Sequence, residues 1–259
     1  MVDLISSLIL SVYVALIATS YGVFALLPAG ARNRRLDGHG GVMLSRGVME
    51  VAYKLFNPLI SLLFTLRVTP NMITAFSLAP AMLSAYFLAE GHFGLGAILA
   101  TGSGFCDMLD GMLARRYGTM SDVGELFDAA MDRYVEFFLL AGLTFYFRNQ
   151  PFVEVVCLAA LLGSFMVSYS TAKAEALGVP PPKGAMRRAE RAVYLIVGCW
   201  LVPLWARVMP GPGTFVGLAI RQEFPVELAM LVVAVVANVS AVRRMLRIAQ
   251  LIRAKKHAP

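Results

Sequence analysis

The sequence predicts an all-α integral membrane protein, and three observations predict it. Of 259 residues, 58% are hydrophobic and 15% charged, whereas a soluble domain carries about a quarter charged residues. The apolar residues gather into seven runs, each near the length of about 20 residues that a helix needs to cross the hydrocarbon core. The net charge is +7, and its basic residues fall on one side of these runs, as the positive-inside rule requires. So oily a composition excludes a disordered chain. It also excludes a nucleic-acid protein with its charge on a polar surface.

The first run, 4–28, has no basic stretch before it and a charged one after it. A secretory leader has the reverse layout, so this run reads as a retained anchor helix. The stretch 44–66 differs in kind. It carries Arg46, Glu50 and Lys54 among Val48, Met49, Val51, Leu55, Leu59 and Leu62, with apolar positions at three- and four-residue spacing. That pattern predicts an amphipathic helix on the membrane surface, bent at Pro58. Spans are then predicted at 71–90, 93–114, 134–147 extended back to about 122, 151–172, 191–208 and 225–242. Pro180-Pro181-Pro182 marks one stiff loop and Pro210-Gly211-Pro212-Gly213 another. Arg32, Arg34, Arg35, Arg115, Arg116, Lys183, Arg187, Arg188 and a tail running from Arg243 to Lys256 are assigned to the cytoplasm. The opposite loops hold little beyond Arg148, Arg207 and Arg221. Cys106, Cys157 and Cys199 are dispersed in apolar runs, which reads as core packing rather than a disulfide or zinc framework.

Four carboxylates stand where hydration is scarce. Asp107 and Asp110 are spaced i,i+3 near the basic end of one helix, and Asp128 and Asp132 are spaced i,i+4 near the start of the next. Each spacing puts its pair on a single helix face. The short connection from Arg115 to Gly124 predicts antiparallel neighbours whose pairs converge. Carboxylates so placed repel one another, so either some are protonated or cations sit between them. Hard oxygen ligands with no nearby histidine (the three are His39, His92 and His257) favour Mg²⁺, Mn²⁺ or Ca²⁺ over zinc. Two bridged ions are the arrangement that serves phosphoryl displacement. An ion or proton path is the competing reading of the same charges. Gly111, Ala114 and Gly124 leave room for a ring or a phosphate near the backbone, and Arg115 can grip phosphate oxygens.

These residues spell Asp-x2-Asp-Gly-x2-Ala-Arg-x8-Gly-x3-Asp-x3-Asp, with every fixed position present: Asp107, Asp110, Gly111, Ala114, Arg115, Gly124, Asp128 and Asp132. The pattern resembles the signature of the CDP-alcohol phosphotransferases over about residues 44–245. The resemblance implies a six-helix catalytic core at 69–250, preceded by a juxtamembrane amphipathic helix at 44–68. It leaves 1–43 as an extra transmembrane helix with a basic linker, and 251–259 as a basic tail. It further implies that Asp107, Asp110, Asp128 and Asp132 hold two Mg²⁺ ions, or Mn²⁺ in their place, and that Asp132 is the general base. Gly111, Ala114, Arg115 and Gly124 would receive the CDP moiety. An alcohol hydroxyl would attack the lipid-linked phosphorus of CDP-diacylglycerol and CMP would leave. A homodimer in the cytoplasmic membrane, with its site facing the cytoplasm, is the implied setting.

A second stretch, Ser168-Tyr169-Ser170-Thr171-Ala172-Lys173-Ala174-Glu175, followed by Arg188-Ala189-Glu190-Arg191, is similar to the acceptor side of prokaryotic phosphatidylinositol-phosphate synthases. Thr69-Pro70-Asn71-Met72-Ile73-Thr74 matches the segment that opens the core of that family. By that resemblance Asn71, Lys173, Arg188 and Arg191 line a pocket for a water-soluble polar alcohol, inositol phosphate or inositol first. Thr171 stands where those synthases often carry a basic residue, so a glycerol-phosphate acceptor stays open. Two competing functions also stay open: a CDP-choline or CDP-ethanolamine type transfer to diacylglycerol, and cation transport.

Overall fold

Proline and capping residues set most helix starts in the computed structural model, which describes residues 1–25, 46–209, 213–215 and 218–256. Helix α1 spans Val2–Ala25 and α2 spans Arg46–Thr65, running through Pro58. Helix α3 (Pro70–Phe76) starts with Pro70 in its first turn and Thr69 as N-cap, whose side chain accepts a hydrogen bond from the Met72 N–H. Next come α4 (Leu78–Ala89), α5 (Phe93–Tyr117) and α6 (Asp122–Tyr146), the last capped by Ser121. Helix α7 (Pro151–Ala176) again begins on proline, and α8 spans Arg188–Val208. A hairpin of β1 (Gly213–Phe215) and β2 (Leu218–Ile220) pairs Gly213 with Ile220 and Phe215 with Leu218. Helix α9 (Phe224–Lys256) completes the chain. The all-α architecture predicted from the sequence is thus observed.

The predicted span 71–90 is observed as the stretch Pro70–Ala89, interrupted locally at Ser77 into α3 and α4. Pro80 has no N–H to give the Phe76 carbonyl, and the chain breaks at Ser77, whose carbonyl accepts a hydrogen bond from Ser103 of α5 at 2.9 Å. Four stretches are long and apolar enough to cross a membrane among the described residues: Pro70–Ala89, Pro151–Ala176, Arg188–Val208 and Phe224–Lys255. Helices α5 and α6 are 25 residues each, about 37 Å at 1.5 Å per residue. They have the length, and their aspartates and arginines lower their hydropathy. Exposed apolar stripes suited to a lipid environment run along Phe152, Val155, Leu158 and Leu162 on α7 and Leu228, Leu231, Val235 and Val242 on α9. The protein is an integral membrane protein. Arg32, Arg34, Arg35, His39 and His257, the Pro210–Pro212 part of the predicted turn, and the side chains of Arg46, Glu50 and Lys54 lie outside the described residues.

Helices α5 and α6 are not the close antiparallel neighbours that their short connection predicts. They meet only sparsely, while α4 packs extensively against both. Gly142 makes this possible on the α6 side, where a Cβ would lie 2.5 Å from the Ala85 carbonyl oxygen of α4. The splay opens a space between the ends of α5 and α6 that α3 partly fills.

Helix α1 turns its polar residues inward. Ser6 and Ser7 are buried, while Val2, Ile5, Leu8, Ile9 and Val12 are exposed, the inverse of a soluble helix and the pattern of one facing lipid. Ser7 Oγ donates to the Trp200 carbonyl at 3.0 Å, and Trp200 Nε1 donates back to the Ser7 carbonyl at 2.8 Å. At the start of α5, Asp3 accepts from the Leu95 N–H at 3.3 Å and lies 2.8 Å from His92 Nδ1. This contact needs Gly94, where a Cβ would sit 2.1 Å from the Asp3 carbonyl oxygen. Gly94→Ala is therefore expected to lower the thermal midpoint by about 3–6 °C through overpacking. The effect should vanish in a chain lacking residues 1–43; an equal drop in that shortened chain would show that α1 is not what the alanine strikes.

Candidate metal centre and active site

The site is assembled where α5 ends and α6 begins. Helix α5 closes on Gly118, and the Ser121 hydroxyl accepts from the Gly124 N–H at 3.1 Å to start α6. Asp122 and Glu125 occupy the first turn of α6, where negative charge suits the helix dipole. These ends fix Asp107 and Asp110 on one helix and Asp128 and Asp132 on the other.

Asp107, Asp110 and Asp128 converge, each offering a carboxylate oxygen within 4.8 Å of the others. Asp110 is 6% exposed, and the Thr74 hydroxyl of α3 lies 2.6 Å from its Oδ2. The same hydroxyl lies 3.1 Å from the Pro70 carbonyl; with one proton to give, it serves the shorter, charged contact. Asp128 Oδ1 is buried with no hydrogen-bond partner among the described residues. A buried carboxylate oxygen without a donor is costly unless a cation meets it, and a hard, all-oxygen donor set fits a divalent ion. The cluster can therefore hold metal. Asp132 is turned toward α8, where Arg188 Nη1 lies 2.5 Å from its Oδ2 and 3.0 Å from Asp107 Oδ1.

Two regions flank the carboxylates. On one side is a cavity of about 1130 Å³ lined by Asn71, Thr74, Asp110, Gly111, Ala114 and Gly124, among others. A Cβ on Gly111 would lie 3.6 Å from the Arg115 guanidinium, so Arg115 borders this space. Asn71 Oδ1 would lie 3.8 Å from a Cβ on Gly124. The structure thus places Asn71 on this wall with Gly111 and Gly124, rather than beside Arg188 and Arg191.

On the other side lies a basic region. Arg191 is fully buried, at 0% exposure. Its Nε and Nη2 donate to Glu136 at 2.6 and 2.9 Å, and its Nη1 donates to the Met186 carbonyl at 2.6 Å. Met186 has a φ of +60°. Glu190 Oε2 accepts from the Met186 and Arg187 N–H groups at 2.8 and 3.2 Å, so the strained turn that delivers Arg188 is gripped from both sides. Lys173 is exposed in the last turn of α7.

Three contributors are not assigned by sequence reasoning. Thr74 sits in the segment that opens the core, and nothing local marks it as a partner of Asp110. Glu136 has a signal in its place four residues after Asp132, an ionisable residue inside an apolar helix. Arg244 belongs to the basic tail in the sequence, where it resembles a lipid contact, and the structure turns it inward instead. It is 7% exposed and donates to the Gly184 and Ala185 carbonyls at 3.0 and 3.2 Å and to Thr171 Oγ1 at 3.4 Å. All these partners are uncharged, so its positive charge is not neutralised by them.

Comparison with known proteins shows the family and the fold. A phosphatidylinositol phosphate synthase of Mycobacteroides abscessus is 30% identical over 207 residues, covering 78% of this chain and 86% of the relative. The crystal structure of the Mycobacterium tuberculosis phosphatidylinositol phosphate synthase with CDP-DAG bound superposes with a TM-score of 0.65 at 23% identity, covering 75% of this chain and 94% of that one. The same enzyme in complex with manganese and citrate gives 0.64 at 23% identity, covering 74% and 88%. The sequence profile for CDP-alcohol phosphatidyltransferase matches residues 67–236, from the end of α2 into α9. With Asp107, Asp110 and Asp128 converging beside a cavity lined by Asp110, Gly111, Ala114, Gly124 and Asp128, the chain belongs to the CDP-alcohol phosphatidyltransferase family.

Proposed function

We propose that this protein transfers the phosphatidyl group of CDP-diacylglycerol to the hydroxyl of a polar alcohol, inositol phosphate foremost, at the cytoplasmic face of the cytoplasmic membrane. The observation that carries the proposal is the placement of the carboxylate cluster between an open cavity and a basic region. A transferase joining two substrates needs that order.

Asp107, Asp110, Asp128 and Asp132 would hold two Mg²⁺ ions, which supply neutralisation of the diphosphate and of the departing CMP. Gly111, Ala114, Arg115 and Gly124 border the space offered to the CDP moiety, and Asn71 joins that wall. The acceptor oxygen bonds to the phosphorus bearing the diacylglycerol. The bond from that phosphorus to the bridging oxygen breaks, and CMP leaves with the electron pair. An Asp132 carboxylate oxygen takes the hydroxyl proton, with Arg188 holding it in place. Arg188 and Arg244 supply positive charge for a phosphorylated acceptor, and Arg244 beside Thr171 provides the charge that Thr171 lacks. Arg191 acts from behind this pocket, through the turn at Met186, and Lys173 stands at its outer edge.

With CDP-diacylglycerol and Mg²⁺, CMP release is expected to be faster with inositol phosphate than with inositol, glycerol phosphate or choline. Arg188→Gln is expected to raise the KM for inositol phosphate about tenfold. Faster release with free inositol or glycerol phosphate would reassign the acceptor, and release with no alcohol in the panel would sink the proposal.

A further inference from the structure

The mouth of the cavity contains a residue that helix geometry disfavours. Helix α2 closes on Arg67, whose φ is +55°. The Arg67 N–H donates to the Phe64 carbonyl at 3.1 Å and the Val68 N–H to the Leu63 carbonyl at 3.0 Å, while Val68 and Leu63 share one apolar cluster. This is the Schellman arrangement, whose left-handed position favours glycine because a Cβ there crowds the backbone. The same chain follows that preference elsewhere: after α4, α5 and α7 the left-handed residues are Gly91, Gly118 and Gly178. Only after α2, among the described helix ends of this kind, does a long charged side chain stand there.

The cap itself gives no reason for an arginine. The apolar contact is made by Val68, and the Arg67 side chain is exposed, with no hydrogen bond or ion pair to a described residue holding its guanidinium. Its position supplies the reason. Arg67 lines the same cavity as Asp110, Gly111, Gly124 and Asp128. The other charged residues on that lining, among the described residues, are Asp110, Asp122, Glu125 and Asp128, all acidic, with Arg115 bordering the space from the Gly111 side. A nucleotide entering so acidic a space needs a positive group away from the metal-holding aspartates, and a guanidinium fork matches two phosphate oxygens.

We propose that Arg67 is a substrate-binding residue whose guanidinium grips the phosphate on the nucleotide side of the CDP-lipid, and that the left-handed backbone is retained for that grip. This rests on the function proposed above. A contact with anionic lipid headgroups is the rival use of an arginine at the end of a surface helix, and it would need no place in the cavity.

The test compares purified full-length wild type, Arg67→Gly and Arg67→Lys. Glycine relieves the backbone, so Arg67→Gly is expected to raise the thermal midpoint by about 2–4 °C while raising the KM for CDP-diacylglycerol and the inhibition constant of CMP about tenfold. Inhibition by cytidine, which lacks the phosphate, should not change. Arg67→Lys keeps the charge and the strain and should retain most of the CMP affinity. Unchanged KM and CMP inhibition in Arg67→Gly would overturn the proposal. Equal weakening toward cytidine would move the contact to the base or ribose and overturn the phosphate assignment. Unchanged CMP inhibition with weaker binding to phosphatidylglycerol vesicles would assign Arg67 to the membrane surface instead. A wild type that neither turns over CDP-diacylglycerol nor responds to CMP would overturn the functional reading itself, an outcome separable from all the others.

Discussion

Asp128→Asn is expected to lower kcat by about a thousandfold, some 4 kcal/mol of transition-state stabilisation, without unfolding the protein. The asparagine fills the same volume, so α6 keeps its packing. It removes one negative charge from a cluster whose carboxylate oxygens lie within 4.8 Å of one another, which relieves repulsion when no cation is bound. Stability without metal should therefore hold or rise. Asp128 Oδ1 has no hydrogen-bond partner among the described residues in its buried position, so the lost charge is the one best placed to meet an ion. Stabilisation of the wild type by added Mg²⁺ follows from binding to the folded state, and the variant should lose it. Near-normal turnover together with an intact Mg²⁺-dependent thermal shift would remove Asp128 from the metal centre.

Arg191→Ala is expected to destabilise the protein by about 3–5 kcal/mol, the scale for removing one partner of a buried ion pair, or about 10 °C in thermal midpoint. The cause is what remains behind. Glu136 is 8% exposed and would keep a buried charge without its partner, and the Met186 carbonyl would lose its donor. Replacing both Glu136 and Arg191 by leucine should recover most of the loss, because no buried charge is then stranded. The acceptor KM should rise in both variants, since the turn that delivers Arg188 loses its anchor in each. A normal thermal midpoint combined with a raised acceptor KM would mean that Arg191 meets the ligand directly.

Much of the site is legible along the chain because it is written in helical spacing. Asp107 with Asp110, and Asp128 with Asp132, share helix faces by arithmetic alone, and Gly111, Ala114 and Gly124 follow from positions beside them. Three of these carboxylates converge as the spacing predicts, but not for the reason that the short connection suggests. Close packing of α5 on α6 is what such a connection implies, and α4 lies between them instead, tied to both. The division of labour among the basic residues is hidden as well. Sequence resemblance groups Asn71, Lys173, Arg188 and Arg191, yet Asn71 lies on the cavity wall, Lys173 is exposed at the end of α7, Arg188 bridges two aspartates and Arg191 is enclosed with Glu136. Nothing in the local sequence distinguishes an arginine that faces a ligand from one that holds a turn. The break at Ser77 has a signal in Pro80 that hydropathy overrides.

Membrane class, helix positions and the make-up of the metal-binding faces are readable from the chain alone, because each depends on residues within a few turns of one another. Which polar group meets which is settled by the folding of the helices against each other: Thr74 with Asp110, Arg188 with Asp107 and Asp132, and Arg191 with Glu136. Those pairings join residues tens of positions apart. Their strength is set by burial and by the approach of neighbouring helices, and the order of residues records neither.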